Sequence, residues 1–269
     1  MQYICLLVLL FSTQAFSWSI LADFESGIVG EKAQSTVDAF HSDAGASRYV
    51  AGPVLKGNQA ASVSIRSGRT GFGSWGGVFY FPTDLVEGDE VWYQVNVYFP
   101  DGWDFDCGGC TEGVKFMRIH TKSDSGVNEG YHTILIKGGK QGGKVSVNTE
   151  VNAPGFRYNR ELGDDVTRER WHTYEMYIKF SSIKGVYRVW KDGKLLDEQF
   201  VKTLNSSTSR SSAAYLFTYW NNGAPKDQTA FVDEITVKSD RPVRRDTQGN
   251  PYIGYFGTKA PKPPLLTIQ

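Results

Sequence analysis

The chain has 269 residues, and its 29 basic and 29 acidic side chains leave a formal net charge of zero. That balance excludes the basic excess needed to hold a phosphate backbone, so no nucleic acid partner is expected. Hydrophobic residues at 40% and charged residues at 22% support a sizeable core and exclude disorder over most of the length, while 14% aromatic residues and 29 glycines favour glycine-punctuated β structure over helix.

The N-terminus comes first. Tyr3 to Phe11 (YICLLVLLF) is a short apolar run, followed by polar residues and a small-x-small exit at Ala15-Phe16-Ser17. Residues 1–17 therefore read as a secretory signal peptide cut before Trp18, too short to span a bilayer. A secreted protein with no membrane partner is expected. Cys5 leaves with the signal, and Cys107 and Cys110 remain in the loop DCGGC. An oxidising compartment favours a local disulfide between them, and no second CxxC or His pair at ligand spacing accompanies them. No metal or cofactor is expected beyond an optional structural calcium at the Asp23 and Asp233 strand ends.

From residue 18 to 240 one kind of segment recurs, five to ten residues alternating apolar and polar between Gly, Asp, Asn and Pro clusters. In chain order the clear ones are SVSIR (62–66), VWYQVNVYF (91–99), GVKFMRIH (113–120), GYHTILIK (130–137), KVSVNTEV (144–151), WHTYEMYIKF (171–180), VYRVW (186–190), AYLFTYWN (214–221) and AFVDEITV (230–237). No intervening stretch sustains a helical period with caps. About a dozen strands without helix predict an all-β, two-sheet antiparallel β-sandwich of the jelly-roll kind. Lys191-Asp192-Gly193-Lys194 predicts a hairpin, because Asp-Gly between two strands suits a tight turn. Residues 241–269 carry five of the ten prolines and read as an irregular tail that either straps the sandwich or is disordered.

Residues two apart in a strand share a face. VWYQVNVYF therefore places Trp92, Gln94, Asn96 and Tyr98 opposite its core side, GVKFMRIH places Arg118 and His120 outward, and SVSIR places Ser64 and Arg66 outward. AYLFTYWN places Tyr215, Phe217, Tyr219 and Asn221 together. If these strands share a sheet, its outer face is a band of aromatic, amide and guanidinium groups suited to sugar rings, hydroxyls and carboxylates. The plain alternative is an ordinary solvated sheet face.

Chemistry narrows the choice. A glycosidase would need paired carboxylates on one face, and Glu-x-Asp-x-Glu is absent; no GxSxG elbow offers a nucleophile. Arg118-x-His120 remains, with Arg66, Lys115, Tyr98, Tyr131 and Tyr219 as candidate neighbours. Cation, imidazole and phenol without paired acids suit β-elimination on a uronate sugar. His132, alternating with Ile134 and Ile136, reads as a buried structural residue, and His172 as inward-facing.

The succession GVKFMRIHT, RWHTYEMYIKF, GVYRVWKDGKLL and YLFTYWNNGAPKDQTAFVDEITV resembles the concanavalin-like jelly-roll polysaccharide lyases, the group holding heparin lyase I, glucuronan lyase and several alginate lyases. The resemblance covers roughly residues 90 to 238. Arg118-Ile119-His120 is similar to the Gln-Ile-His strand of one alginate lyase family, with Arg in place of Gln. Lys115 is similarly placed to a Lys of another such family, whose paired tyrosines have no counterpart in KVSVNTEV. The resemblance implies a secreted, monomeric lyase acting on an acidic polysaccharide of alginate or glucuronan type. Arg118 and Arg66 would hold the carboxylate, His120 would be the base or share in holding the carboxylate, and Tyr219 would be the acid, with Lys115, Gln94, Asn96, Tyr98 and Asn221 lining the groove. A non-catalytic carbohydrate-binding module using the same face is the alternative, and a glycoside hydrolase the third reading.

Overall fold

The computed structural model describes residues 17–33, 46–70, 76–106, 108, 113–139, 142–152 and 156–254; residues 1–16, Cys107, Cys110 and the tail beyond residue 254 lie outside it. Two antiparallel sheets are packed face to face. One has eight strands: β1 (Ser19–Ala22), β2 (Ser47–Val50), β3 (Ala60–Ile65), β5 (Glu90–Tyr98), β10 (Trp171–Lys179), β11 (Val186–Lys191), β12 (Lys194–Gln199) and β14 (Gln228–Lys238). They run in the order β12-β11-β10-β5-β14-β3-β2, with β1 on β14. The other sheet runs β4 (Gly77–Leu85), β13 (Arg210–Trp220), β6 (Val114–Lys122), β7 (Asn128–Gly139), β8 (Gly142–Glu150) and β9 (Phe156–Val166).

Alternation builds the core between the sheets. Val91, Tyr93, Val95 and Val97 of β5 and Tyr174, Met176 and Ile178 of β10 meet Met117 and Ile119 of β6, Ile134 and Ile136 of β7, and Leu216 of β13. Each large apolar side chain so buried contributes about 1.5–3 kcal/mol, enough collectively to hold both sheets in one register. The β11–β12 turn has positive φ at both Asp192 (51°) and Gly193 (78°), as a two-residue type I′ hairpin requires.

Two irregularities decide what faces outward. In β6 the register slips between Lys115 and Met117, so Phe116 and Met117 are both buried while Lys115, Arg118 and His120 point away from the core. In β13 the register slips between Leu216 and Tyr219, and Phe217 takes φ 50° and enters the core beside Leu216. Strict alternation had placed Phe217 on the outer face, and the bulge is why it is not there.

The strands expected to share one outer face are split between the sheets. β3 and β5 belong to the eight-stranded sheet, and β6 and β13 to the six-stranded one. Gln94, Asn96 and Tyr98 therefore do not line a face with Arg118 and His120. Their own face is covered: residues 241–254 lie across it, with Trp92 Nε1 donating to the Pro251 carbonyl (3.0 Å) and Gln94 Nε2 to that of Gly254 (2.6 Å). Trp190 donates to Asp246 (2.8 Å) and stacks on Tyr252, while Asn96 donates to the Asp233 and Glu234 carbonyls at 3.3 and 3.0 Å. Tyr98 packs on Trp171 and Phe231.

The strap is pinned by a buried carboxylate. Glu175 accepts the N–H groups of Ile253 (2.7 Å) and Gly254 (3.3 Å) and the Gln94 amide (3.1 Å), yet burial outweighs these donors and raises its pKa to about 7. A carboxyl with a folded pKa above its unfolded value stabilises the fold fully below pH 4.5 and loses that contribution as pH rises toward 7. The melting temperature of the wild type should therefore fall as pH rises from 4.5 to 7, with Glu175 supplying a slope of roughly 2–4 °C per unit. Glu175→Gln should flatten that slope whatever its absolute melting temperature; an unchanged slope in thermal melts across pH would show that Glu175 does not set it.

Candidate active site

The outer face of the six-stranded sheet carries accessible functional groups. Cross-strand pairing aligns Ala213, His120 and Tyr131 in one row and Tyr215, Arg118 and Thr133 in the next. Three rings consequently meet over the sheet: His120 lies 5.0 Å from Tyr131 and 6.0 Å from Tyr215, and the two tyrosines are 6.3 Å apart. All three are half-buried, so one side of the cluster reaches solvent.

Arg118 sits beneath them. It is 3% exposed, its guanidinium carbon lies 3.4 Å from the Tyr131 ring centroid, Nε donates to Thr133 Oγ1 at 3.4 Å, and Nη2 is 4.0 Å from a Glu150 carboxylate oxygen. The expectation that Arg118 clamps a sugar carboxylate directly is corrected by this burial: its charge is presented through the Tyr131 ring. Gly130, at φ 125°, lets β7 and β8 approach here, since a Cβ would meet the Glu150 carbonyl oxygen at 2.4 Å.

The charges set two protonation states. Burial lowers the His120 pKa below its usual 6.5, opposed by its hydrogen bond to Asn128 and assisted by Arg118 and Lys122, so the imidazole is neutral at pH 7. Burial raises that of Tyr131, opposed by Arg118 and assisted by Glu150, so the phenol keeps its proton. A neutral base and a protonated acid thus share ring contact. Arg118→Lys removes a planar cation that stacks on Tyr131, an interaction of about 0.5–2 kcal/mol. The variant should lose roughly tenfold in turnover and about 2–4 °C in melting temperature; full activity in a kinetic assay would exclude Arg118 from the site.

The remaining candidates are dispersed. Tyr219 is cross-strand from Lys115, whose Nζ lies 5.2 Å from its ring centroid. His120 is five residue steps along β6 from Lys115, roughly 16 Å at about 3.3 Å per step. Tyr219 is therefore not beside His120, whereas Tyr131 and Tyr215 are. The Asn221 N–H bonds to Gly113 at the Tyr219 end of the face. Arg66 is exposed in the turn after β3, and that turn bonds to the 220–224 turn through Thr70 and Arg69. It thus lies by the end of β13 away from Ala213 and is not brought to Arg118.

His132 is buried in the core and bonded to Thr203 O (2.9 Å) and Thr149 Oγ1 (3.3 Å), with burial lowering its pKa to about 4. His172 is buried and bonded to Asp192 and Thr167, each at 2.8 Å. Among the described residues no group of three or more His, Cys, Asp or Glu could hold a metal ion. Asp233 already accepts the N–H groups of Leu55 (2.9 Å), Lys56 (3.0 Å) and Glu234 (2.8 Å), and Asp23 that of Glu25 (3.2 Å). Asn128 and Glu150 escaped sequence reasoning; the Asn-x-Gly at 128–130, a turn-forming pattern beside the His120 strand, was the available clue.

A two-sheet jelly roll with a cation, an imidazole and phenols on one open face defines a carbohydrate-active sandwich. The family model described as polysaccharide lyase matches residues 24–236, and the chain belongs to that family. It is a polysaccharide lyase, which sets aside the non-catalytic module and the glycoside hydrolase. Among solved structures, the alginate lyase Aly36B is similar at a TM-score of 0.60 and 12% identity, over 83% of this chain and 97% of that one. The endo-β-1,4-glucuronan lyase of the fungus Trichoderma reesei is similar at 0.56 and 16%, over 82% and 95%. The alginate lyase vAL-1 from Chlorella virus follows at 0.50 and 15%, over 71% and 89%. At these identities the likeness concerns the fold. No curated protein sequence matches the chain.

Proposed function

We propose that this lyase is secreted and cleaves a uronate-containing acidic polysaccharide, of alginate or glucuronan type, by β-elimination. The observation that carries the reading is the neutral His120 in ring contact with protonated Tyr131 above the Arg118 cation. His120 takes the proton from the α-carbon of the uronate, whose electron pair forms the new double bond to the β-carbon. The β-carbon–oxygen bond breaks, and Tyr131 gives its proton to the leaving glycosidic oxygen. The positive field of Arg118 and Lys122, both of which act on His120, offsets the carboxylate charge as it spreads in the transition state. Acid and base must address one linkage, which favours Tyr131 over the distant Tyr219; Lys115, Tyr219 and Asn221 would meet a neighbouring sugar.

The enzyme acts as a monomer in this reading, with Cys107 and Cys110 joined by a disulfide in the secreted form. The test is ultraviolet absorbance of unsaturated uronate ends on a panel of alginate, glucuronan and glycosaminoglycans. Product on at least one of these is expected. Cleavage confined to neutral polysaccharides, or none on any uronan, would overturn the uronate assignment.

A further inference from the structure

We infer that Asn128 is a positioning residue that holds His120 in the tautomer protonated on Nε2 and so leaves Nδ1 as its proton acceptor. Two hydrogen bonds to a single atom carry the argument. Asn128 Oδ1 accepts the backbone N–H of Gly130 at 2.9 Å. A main-chain N–H can only donate, so the atom it meets must be the amide oxygen, and the orientation of the Asn128 side chain is fixed. The same oxygen lies 3.2 Å from His120 Nε2. An amide oxygen can only accept, so Nε2 carries the hydrogen. A neutral imidazole has one N–H, and the lone pair therefore falls on Nδ1, which has no hydrogen-bond partner among the described residues.

The local chain builds this relay for a reason. Asn128, Glu129 and Gly130 open β7, and Gly130 adopts φ 125°, which turns its N–H back onto the Asn128 side chain. Lys122 pairs with Asn128 and His120 with Tyr131, so the turn sits beside the imidazole. In a Ser-His-Asp triad a carboxylate performs the same orientation and also stabilises the imidazolium. Here the partner is a neutral amide, which orients without adding negative charge. That choice suits a groove which must admit a polyanion. The other charged or titratable groups facing His120 are Arg118 and Lys122 on its own strand, Tyr131 on β7 and Tyr215 on β13.

This inference rests on His120 as the base, but its first test does not. Two-bond nitrogen–proton correlation spectra of the full chain report the tautomer of each of its four histidines directly, and the His120→Ala spectrum identifies the signals of that ring. At neutral pH, His120 should show a protonated Nε2 and an unprotonated Nδ1; the reverse pattern overturns the inference. Asn128→Ala should give a mixture of tautomers, with turnover lower by about tenfold and KM nearly unchanged. An unchanged tautomer in that variant also overturns it. Asn128→Asp keeps the acceptor for both partners, so it should preserve the tautomer and restore folding if the alanine variant is unstable. Its carboxylate should move the acid limb of the kcat/KM profile up by about one pH unit; an unmoved limb means that Asn128 does not act through His120. If the tautomer is as stated while His120→Ala remains active, the inference stands and the base assignment fails.

Discussion

Replacing His120 by alanine should lower turnover by about two to four orders of magnitude, the usual span for losing a general base. Binding should persist, because Arg118, Tyr131, Tyr215 and Lys122 remain, so KM should change far less than kcat. Truncation at this position should also leave the fold nearly intact: His120 is half-buried on the outer face, outside the packed core between the sheets. In the wild type, kcat/KM should rise with pH through an ionisation below 6.5, because burial, assisted by Arg118 and Lys122, disfavours the imidazolium. Measured pH–rate profiles and circular dichroism of the variant check both statements. A His120→Ala enzyme with wild-type turnover would move the base to Tyr131 or Tyr215, and an acid limb well above 6.5 would indicate a carboxylate partner that the geometry does not provide.

How much of this was legible in the sequence depended on whether the information was local. Alternation read β5 and the Met117 to His120 stretch of β6 correctly, and Asp192-Gly193 specified its turn through two positive-φ positions. What alternation does not encode is which sheet a strand joins. Gln94 and Asn96 point away from the core as expected, but Gln94 is sealed under the 241–254 strap and Asn96 is tied to the Asp233 and Glu234 carbonyls, so both end as buried hydrogen-bonding residues. The strap itself reads as an irregular Pro-rich tail, because its order comes from tertiary partners: Trp92, Glu175 and Trp190, distant in sequence. Phe217 was misplaced for a related reason. A bulge inserts one residue without any mark in the apolar pattern, and it turns Phe217 inward while Tyr215 and Tyr219 on either side keep the outer face. Arg118 and His120 were legible as outward residues of one strand. That Arg118 would be buried under Tyr131 was not, since it depends on Glu150 and Gly130, supplied by the two following strands.

Tyr131→Phe should cost about two to four orders of magnitude in kcat, against less than about tenfold for Tyr215→Phe. Both tyrosines touch His120, so proximity alone does not choose between them; the cation does. When a phenol gives its proton to the leaving oxygen it becomes a phenolate, and Arg118 lies 3.4 Å from the Tyr131 ring centroid, where it meets that new negative charge. An interaction that strengthens as the reaction proceeds lowers the barrier, whereas one equal in ground and transition states does not. Glu150 opposes ionisation of Tyr131 and so keeps the proton in place until it is needed. Phenylalanine preserves the ring over Arg118 and the contact with His120, so the fold and KM should be nearly those of the wild type. Removing Glu150's charge in Glu150→Gln should ease ionisation of Tyr131 and draw the alkaline limb of the kcat profile to lower pH. If Tyr215→Phe proves the inactive variant while Tyr131→Phe retains turnover, the proton comes from Tyr215, and Arg118 serves to hold the Tyr131 ring as a platform for the sugar.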